Sequence, residues 1–314
     1  MASATDITAA YKALSLVSRK APRPLSASAT KASGLFASLF AGDRRLIVER
    51  NLQRASTYDL SDSELNRGVA QAFEAYGRYY VDSFRLPDLD DQTIDEGFDY
   101  SGFDHIVRSL HAGVGPILVM PHLGGWEWAA FWLARQHGIK VTAVVEPLEP
   151  PELFDWFLSF RESLGMNIVS VGPEAGPAIL TAIEEGHVVC LLSDRVVADA
   201  AAVPVEFFGE PTLMPAGPAT IALRTGAPLL PTAVFFRDDR HFAECRPPIA
   251  AERQGRFRDD VTRVTQEVAH ELERFIRKAP EQWHVLQPTW PSDYQALGRP
   301  IPAQMSKQLG LLSK

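Results

Sequence analysis

The chain has 314 residues, 46% hydrophobic and 22% charged, enough to bury a substantial core as one large domain, with or without an appended helical segment. A net charge of −8 argues against general nucleic-acid binding, and two cysteines, Cys190 and Cys245, argue against a disulfide scaffold or a cysteine-rich metal site. No run approaches the roughly 18 apolar residues of a membrane span, and no basic stretch followed by an apolar one opens the chain, so an intracellular protein without an ordinary transmembrane helix or signal peptide is expected.

The first part is basic. Lys12, Arg19, Lys20, Arg23, Lys31, Arg44, Arg45, Arg50 and Arg54 outweigh Asp6, Asp43, Glu49 and Asp59, and Leu14, Leu16, Val17, Leu35, Phe36, Leu39 and Phe40 lie among them. Short basic and apolar segments suit a surface resting on an anionic leaflet; a helical layer packed on the main domain is the plainer reading, and one helix can serve both. Residues 1–62 are therefore read as a helical, membrane-facing segment and 63–314 as the main domain. Within the first, Pro22 to Ser33 reads as a loop or weak helix. From Ser63, the spacing of Leu65, Val69, Phe73, Tyr76, Tyr80 and Phe84 predicts a helix with Ser61 or Ser63 as N-cap. Pro87 to Gly97 should end it in acidic turns, and Asp104 to Ala112 predicts another helix.

Strands and helices then alternate. Strands are predicted at Ile117–Met120, Val141–Val145, Asn167–Val171, Val188–Leu192 and Leu229–Phe236, with an edge strand at His241–Arg246. Helices are predicted at Trp126–Arg135, Glu152–Leu164, Gly176–Glu185 and Gly217–Thr225, with a long amphipathic one carrying Val261, Val264, Val268, Leu272, Phe275 and Ile276. The fold class is α/β, with a largely parallel central sheet flanked by helices. The tail Leu309–Lys314 is expected to be loose.

Chemistry concentrates where the first strand meets its helix, at His122-Leu123-Gly124-Gly125-Trp126-Glu127. A strand that delivers an imidazole to a helix N-terminus places a rigid base beside N–H groups and positive potential. Glu127, past two glycines, could curl back onto one ring nitrogen and leave the other as a base; a structural histidine and a first-turn carboxylate are the plainer alternatives. Ser193-Asp194-Arg195 lies beyond a strand's carboxyl end, where ligands of open α/β sheets bind. There Arg195 could fork an anion and Asp194 orient it or a hydroxyl, and a surface ion pair is equally open. The turn Val205–Pro211 could line an acyl channel with Phe207 and Phe208 while Glu206 faces the histidine. Arg161 is either another anion ligand or part of a solvated helix face. No Gly-x-Ser-x-Gly elbow, Walker sequence or dinucleotide fingerprint occurs. His105, His111, His122 and His137 lack tight metal-ligand spacing, so no catalytic metal is expected.

His122-x4-Glu127, Asp194-Arg195, Phe207-Phe208-Gly209 and Pro215-Ala-Gly-Pro218, in this order, resemble the lysophospholipid acyltransferase family of the lipid A biosynthesis type, over roughly Asn66 to Trp290. Glu146–Asp155, Arg161–Gly165 and Pro280–Trp283 are most similar to the actinobacterial phosphatidylinositol mannoside branch of that family. The resemblance implies a glycerolipid-acyltransferase-like fold and transfer of a fatty acyl chain from acyl-CoA to a mannose hydroxyl of a membrane glycolipid, at the cytoplasmic membrane face. It also implies that no cofactor is needed beyond the acyl-CoA donor. His122 maps onto the family's base and Glu127 onto its carboxylate, with Glu206 as an alternative partner. Asp194, Arg195, Arg161 and Glu146 would bind substrate, and Trp126, Trp128, Phe207 and Phe208, with Phe131 and Met214, would wall the acyl groove. Two departures from the resemblance stand out: no N-terminal anchor of the kind common in lipid A enzymes is expected, and the Asp-Gln-Asp segment reads Asp194-Arg195-Val196. Another lysolipid or glycolipid acceptor, a thioesterase and a non-catalytic lipid-binding homologue are the competing readings.

Overall fold

A computed structural model describes residues 4–20, 30, 41–197 and 200–311. The readings of Pro22–Ser33, apart from residue 30, of Leu35, Phe36, Leu39 and Phe40, and of residues 312–314 lie outside the described residues.

Among the described residues the chain opens with helices α1 (Ala4–Lys20), α2 (Asp43–Ala55) and α3 (Asp62–Arg85). Ser61 caps α3 in a reciprocal box with Glu64, and the predicted apolar spacing buries Val69, Phe73 and Phe84. Contacts cross residue 62, the bound expected between the helical segment and the main domain. Helix α2 buries Ile47, Val48 and Leu52, and the fully buried Arg54 guanidinium pairs with Glu210 at 2.7 Å and Asp293 at 2.8 Å. Helix α1 lies further out, setting Tyr11 edge-on against Tyr80 and Phe157 and pairing Arg19 with Asp88, while Ile7, Leu14, Leu16 and Val17 stay exposed. No helix among the described residues is long and apolar enough to cross a membrane.

The elements that follow are α4 (Asp91–Glu96), β1 (Phe98–Ser101), α5 (Phe103–His111), β2 (Ile117–Met120), α6 (Trp126–His137), β3 (Val141–Val145), α7 (Pro151–Ser163), β4 (Met166–Ser170), α8 (Ala175–Glu184), β5 (Val188–Leu192), β6 (Ala202–Phe207), β7 (Glu210–Pro215), α9 (Gly217–Thr225), β8 (Leu229–Arg237), β9 (Arg240–Cys245) and α10 (Phe257–Ile276). The seven-stranded sheet runs β1-β9-β8-β2-β5-β3-β4 and is parallel throughout except for the β8–β9 pair. This is the expected α/β fold. The edge assignment needs correction: β9 is interior, because β1, which follows the acidic turn segment and carries no strand expectation, pairs outside it. The Phe-Phe-Gly turn is also more than a loop. It is the two-residue tip of a β6–β7 hairpin, where Phe208 and Gly209 take φ of +53° and +74°, the primed-turn geometry that suits strand twist.

Alternation along the buried strands divides the core into two layers. Ile117, Val119, Val189 and Leu191 face α8, α9, α10 and the hairpin, whereas Leu118, Met120, Val188 and Cys190 face α6. Helix α6 carries Trp126, Trp128, Phe131 and Trp132, all buried, between the sheet and the α4–α5 region. The two layers meet at the carboxyl ends of β2 and β5.

Candidate active site

Register alone brings two candidate site residues together. Met120 of β2 is the parallel partner of Leu192 of β5, and His122 and Asp194 each stand two residues further on. The His122 Nδ1–H donates to Asp194 Oδ1 at 2.5 Å, and the His122 backbone amide donates to Oδ2 at 2.8 Å. Trp283 adds a third donor, its indole N–H reaching Oδ2 at 2.7 Å. Asp194 is 0% exposed. Burial pushes its acidity toward the neutral form, but the imidazole charge and these donors outweigh burial and hold the carboxyl below its ordinary range. With Nδ1 committed to the carboxylate, Nε2 is the nitrogen able to take a proton.

Glu127 lies elsewhere. As the second residue of α6 it turns toward α3 and α7, accepting from the Tyr79 hydroxyl and from Arg161 Nη2 at 3.0 Å. Burial raises the Glu127 pKa, with Arg161 opposing, and burial likewise holds the Tyr79 phenol far above its ordinary range. The carboxylate expected on the imidazole is thus Asp194, placed by sheet register, and helix geometry directs Glu127 away. Glu206 is corrected too: it is exposed on β6, where its backbone exchanges hydrogen bonds with the Gln266 side chain, and it does not face His122. Arg161 does not form a solvated face; its guanidinium is committed to Glu127 and lies 5.3 Å from the Trp126 ring centroid. Arg195 and Glu146, beyond β5 and β3, form an ion pair at 2.5 Å.

The expected acyl groove is divided by the sheet. Trp126 and Trp128 belong to the α6 layer, Phe207 and Phe208 to the opposite one, where Phe207 stacks on Trp290 at 5.5 Å. Trp128 stacks on His241 at 4.3 Å. An apolar cavity does exist in the α6 layer, lined by Leu118, Met120, Trp126, Trp132, Leu133 and Cys190 among others. Trp126 is the one named aromatic of the four that lines it.

A strap, Pro280 to His284, completes the site. It pairs antiparallel at Leu123 and Trp283, the Gly124 amide donates to Gln282 O at 3.1 Å, and the His284 amide donates to His122 O at 2.7 Å. Gly124 has φ +57°, and a Cβ there would stand 2.0 Å from Val234 O, so the close passage of this loop past β8 requires glycine. Burial depresses the His284 imidazole to about 3, with the His122 charge acting the same way, so this ring is neutral. It sits against Tyr76 and Tyr79, with centroids 5.5 and 5.4 Å away. Trp283, His284 and Tyr79 were not singled out from the sequence as site residues; only Asp194's place, two residues past a strand end like that of His122, was a readable signal. Among the described residues no group of three or more His, Cys, Asp or Glu side chains gathers as a metal site.

His122, its side chain 24% exposed, and the buried Asp194 thus stand together at the carboxyl ends of adjacent parallel strands. The model of the bacterial lipid A biosynthesis acyltransferase family matches residues 3–292, and the chain belongs to that family. Relatives include the phosphatidylinositol mannoside acyltransferase of Mycobacterium tuberculosis (strain ATCC 25618 / H37Rv), 37% identical over 230 residues covering 72% of this chain and 71% of that protein. The phosphatidylinositol mannoside acyltransferase of Mycolicibacterium smegmatis is 34% identical over 281 residues, covering 88% of each chain.

Proposed function

We propose that the protein transfers a fatty acyl chain from acyl-CoA to a mannose hydroxyl of a phosphatidylinositol mannoside, working as a peripheral enzyme at the cytoplasmic face of the membrane. The observation that carries the chemistry is the His122–Asp194 hydrogen bond at 2.5 Å. His122 Nε2 takes the hydroxyl proton as the sugar oxygen attacks the thioester carbonyl, and Asp194 stabilises the imidazolium. Collapse of the tetrahedral intermediate breaks the C–S bond, and the imidazolium returns its proton to the leaving CoA thiolate. General-base assistance of this kind contributes about 10²–10⁴ in rate. The Gly124 N–H is taken by Gln282, so the amides of Gly125 and Trp126, at the positive end of α6, are assigned to the oxyanion.

The Glu146–Arg195 pair offers sugar hydroxyls both an acceptor and a donor. The mannoside acceptor follows the names of the relatives and the resemblance of the Glu146–Asp155 segment; the acyl-CoA donor follows the family resemblance alone. The exposed apolar residues of α1, with Lys12 and Lys20 on the same helix, support the membrane placement. The test is incubation with palmitoyl-CoA and a panel of acceptors, products being identified by mass spectrometry. Acylated mannoside is expected, and it is lost in a folded His122→Ala variant. Near-normal transfer by that variant overturns the base; acylation of a different lysolipid overturns the acceptor; thiol release independent of any acceptor makes the protein a thioesterase.

A further inference from the structure

We propose that Trp283 is a positioning residue for this chemistry: its indole N–H locks the Asp194 carboxylate against His122 and tempers the pull of that carboxylate on the imidazolium proton. The inference rests on His122 acting as the base.

The argument starts from the carboxylate. A buried aspartate has two oxygens and free rotation about its last bond unless fixed donors hold it. Oδ2 receives two such donors, the His122 amide at 2.8 Å and the Trp283 indole at 2.7 Å, which leaves Oδ1 with the imidazole as its partner at 2.5 Å. One donor belongs to the loop that carries the base. The other comes from the strap, and the strap is built around that same loop. Main-chain bonds join it to His122 and Gly124, and the Gln282 side chain grips the Phe236 amide at 2.7 Å and the Phe236 carbonyl at 3.0 Å. The indole is then wedged between Phe208, at a centroid distance of 5.7 Å, and Trp290, at 6.3 Å. Rings of this size would fill the space equally well without a polar atom at that point. Core packing accounts for the ring, and the N–H aimed at the acid is the extra feature.

The second effect is on basicity. A neutral donor on Oδ2 spreads the carboxylate charge, so the imidazolium at Oδ1 is held less tightly and gives up its proton more readily. The neighbouring elements carry Arg195 and Glu146, paired with each other; Glu127, which accepts from Arg161 and Tyr79; Tyr76, set against His284; and His284 itself, which feels the charges of His122 and Asp194. Asp194 accepts from His122 and Trp283, so removing the indole N–H while keeping the ring and the strap's main-chain bonds isolates the path through the carboxylate.

The experiment compares the full-length protein with Trp283→Phe and with a variant carrying β-(3-benzothienyl)alanine at position 283, which keeps the bicyclic ring and removes the N–H. The acid limb of kcat against pH and the NMR titration of the His122 ring are both followed. Expected are a rise of about 0.5–1 unit in both, a kcat about tenfold lower near neutrality and a KM for acyl-CoA unchanged within about twofold. An unshifted His122 titration in the isostere overturns the proposal, as does a loss in Trp283→Phe that merely tracks unfolded protein while the isostere behaves as wild type. If His122→Ala keeps its activity, the base reading itself has failed, and the NMR titration still shows whether Trp283 tunes the ring.

Discussion

Replacing Asp194 by asparagine separates the carboxylate that touches the imidazole from the one nearest to it in sequence. The variant keeps the side-chain volume and changes one hydrogen-bonding pattern. Two fixed donors, the His122 amide and the Trp283 indole, require an oxygen at Oδ2, so the new amide NH₂ must point at Nδ1. Nδ1 then becomes an acceptor, the ring proton moves to Nε2, and the base is lost at the atom that needs it. The charge term is as large. At a separation of about 4 Å and an effective permittivity of about 20, an imidazolium–carboxylate pair is worth about 4 kcal/mol. Removing that from the transition state slows kcat about 10³-fold. Initial rates with palmitoyl-CoA and mannoside acceptor measure the loss, with thermal melting as the control for folding. Glu127→Gln is the comparison, and its kcat should exceed that of Asp194→Asn by at least about tenfold because its amide can still accept from Tyr79. The reasoning is refuted if folded Asp194→Asn keeps more than about a tenth of wild-type kcat, or if Glu127→Gln falls as far without losing stability.

Two further outcomes concern stability. Arg161→Met leaves Glu127 buried with Tyr79 as its partner, which should cost about 3 kcal/mol near neutrality. Burial already raises the Glu127 pKa, so the loss should shrink in acid, where the carboxyl protonates; urea unfolding at about pH 5 and pH 8 checks both size and sign. His284 is buried neutral with its pKa lowered to about 3, so the unfolded chain takes the proton first. Its contribution is complete above the unfolded value of about 6.5 and declines as pH falls toward the folded one, by about 2 kcal/mol at pH 5. His284→Phe should flatten that part of the pH dependence of the urea midpoint, and an unchanged slope would place the acid sensitivity elsewhere.

Elements with a strong local signal were legible in the sequence. Strands β2, β3 and β5 and helix α9 coincide with the predicted bounds, because a β-branched or apolar run or a following Gly226 marks where each must stop. Strand β1 was hidden, since Phe-Asp-Tyr-Ser buries only its first residue and looks like the acidic turn before it. The hairpin was hidden by Pro204, Pro211 and Pro215, which read as loop punctuation but are accommodated in a two-stranded ribbon. The histidine itself could be found, and its partner could not. Proximity in sequence favoured Glu127, yet a helix start turns that side chain toward α3 and α7. Asp194 reaches the ring through the pairing of β2 with β5, a long-range register that no local pattern encodes. Trp283 lay within a segment noted for its resemblance, but its donor role depends on an antiparallel contact with Leu123.

The strap sets an order on the birth of the enzyme. His122 and Asp194 are 72 positions apart, and Asp194 and Trp283 a further 89, so the site closes two long loops of chain. Such contacts form late in folding, after the entropy of loop closure has been met by other packing. During translation, the sheet strands that carry the base and its acid emerge well before the segment that clamps them. A nascent chain halted between β9 and the strap would hold His122 and Asp194 without their clamp. The Asp194 carboxylate gains its third donor, and the Leu123 loop its antiparallel partner, only once residues 280–284 are in place.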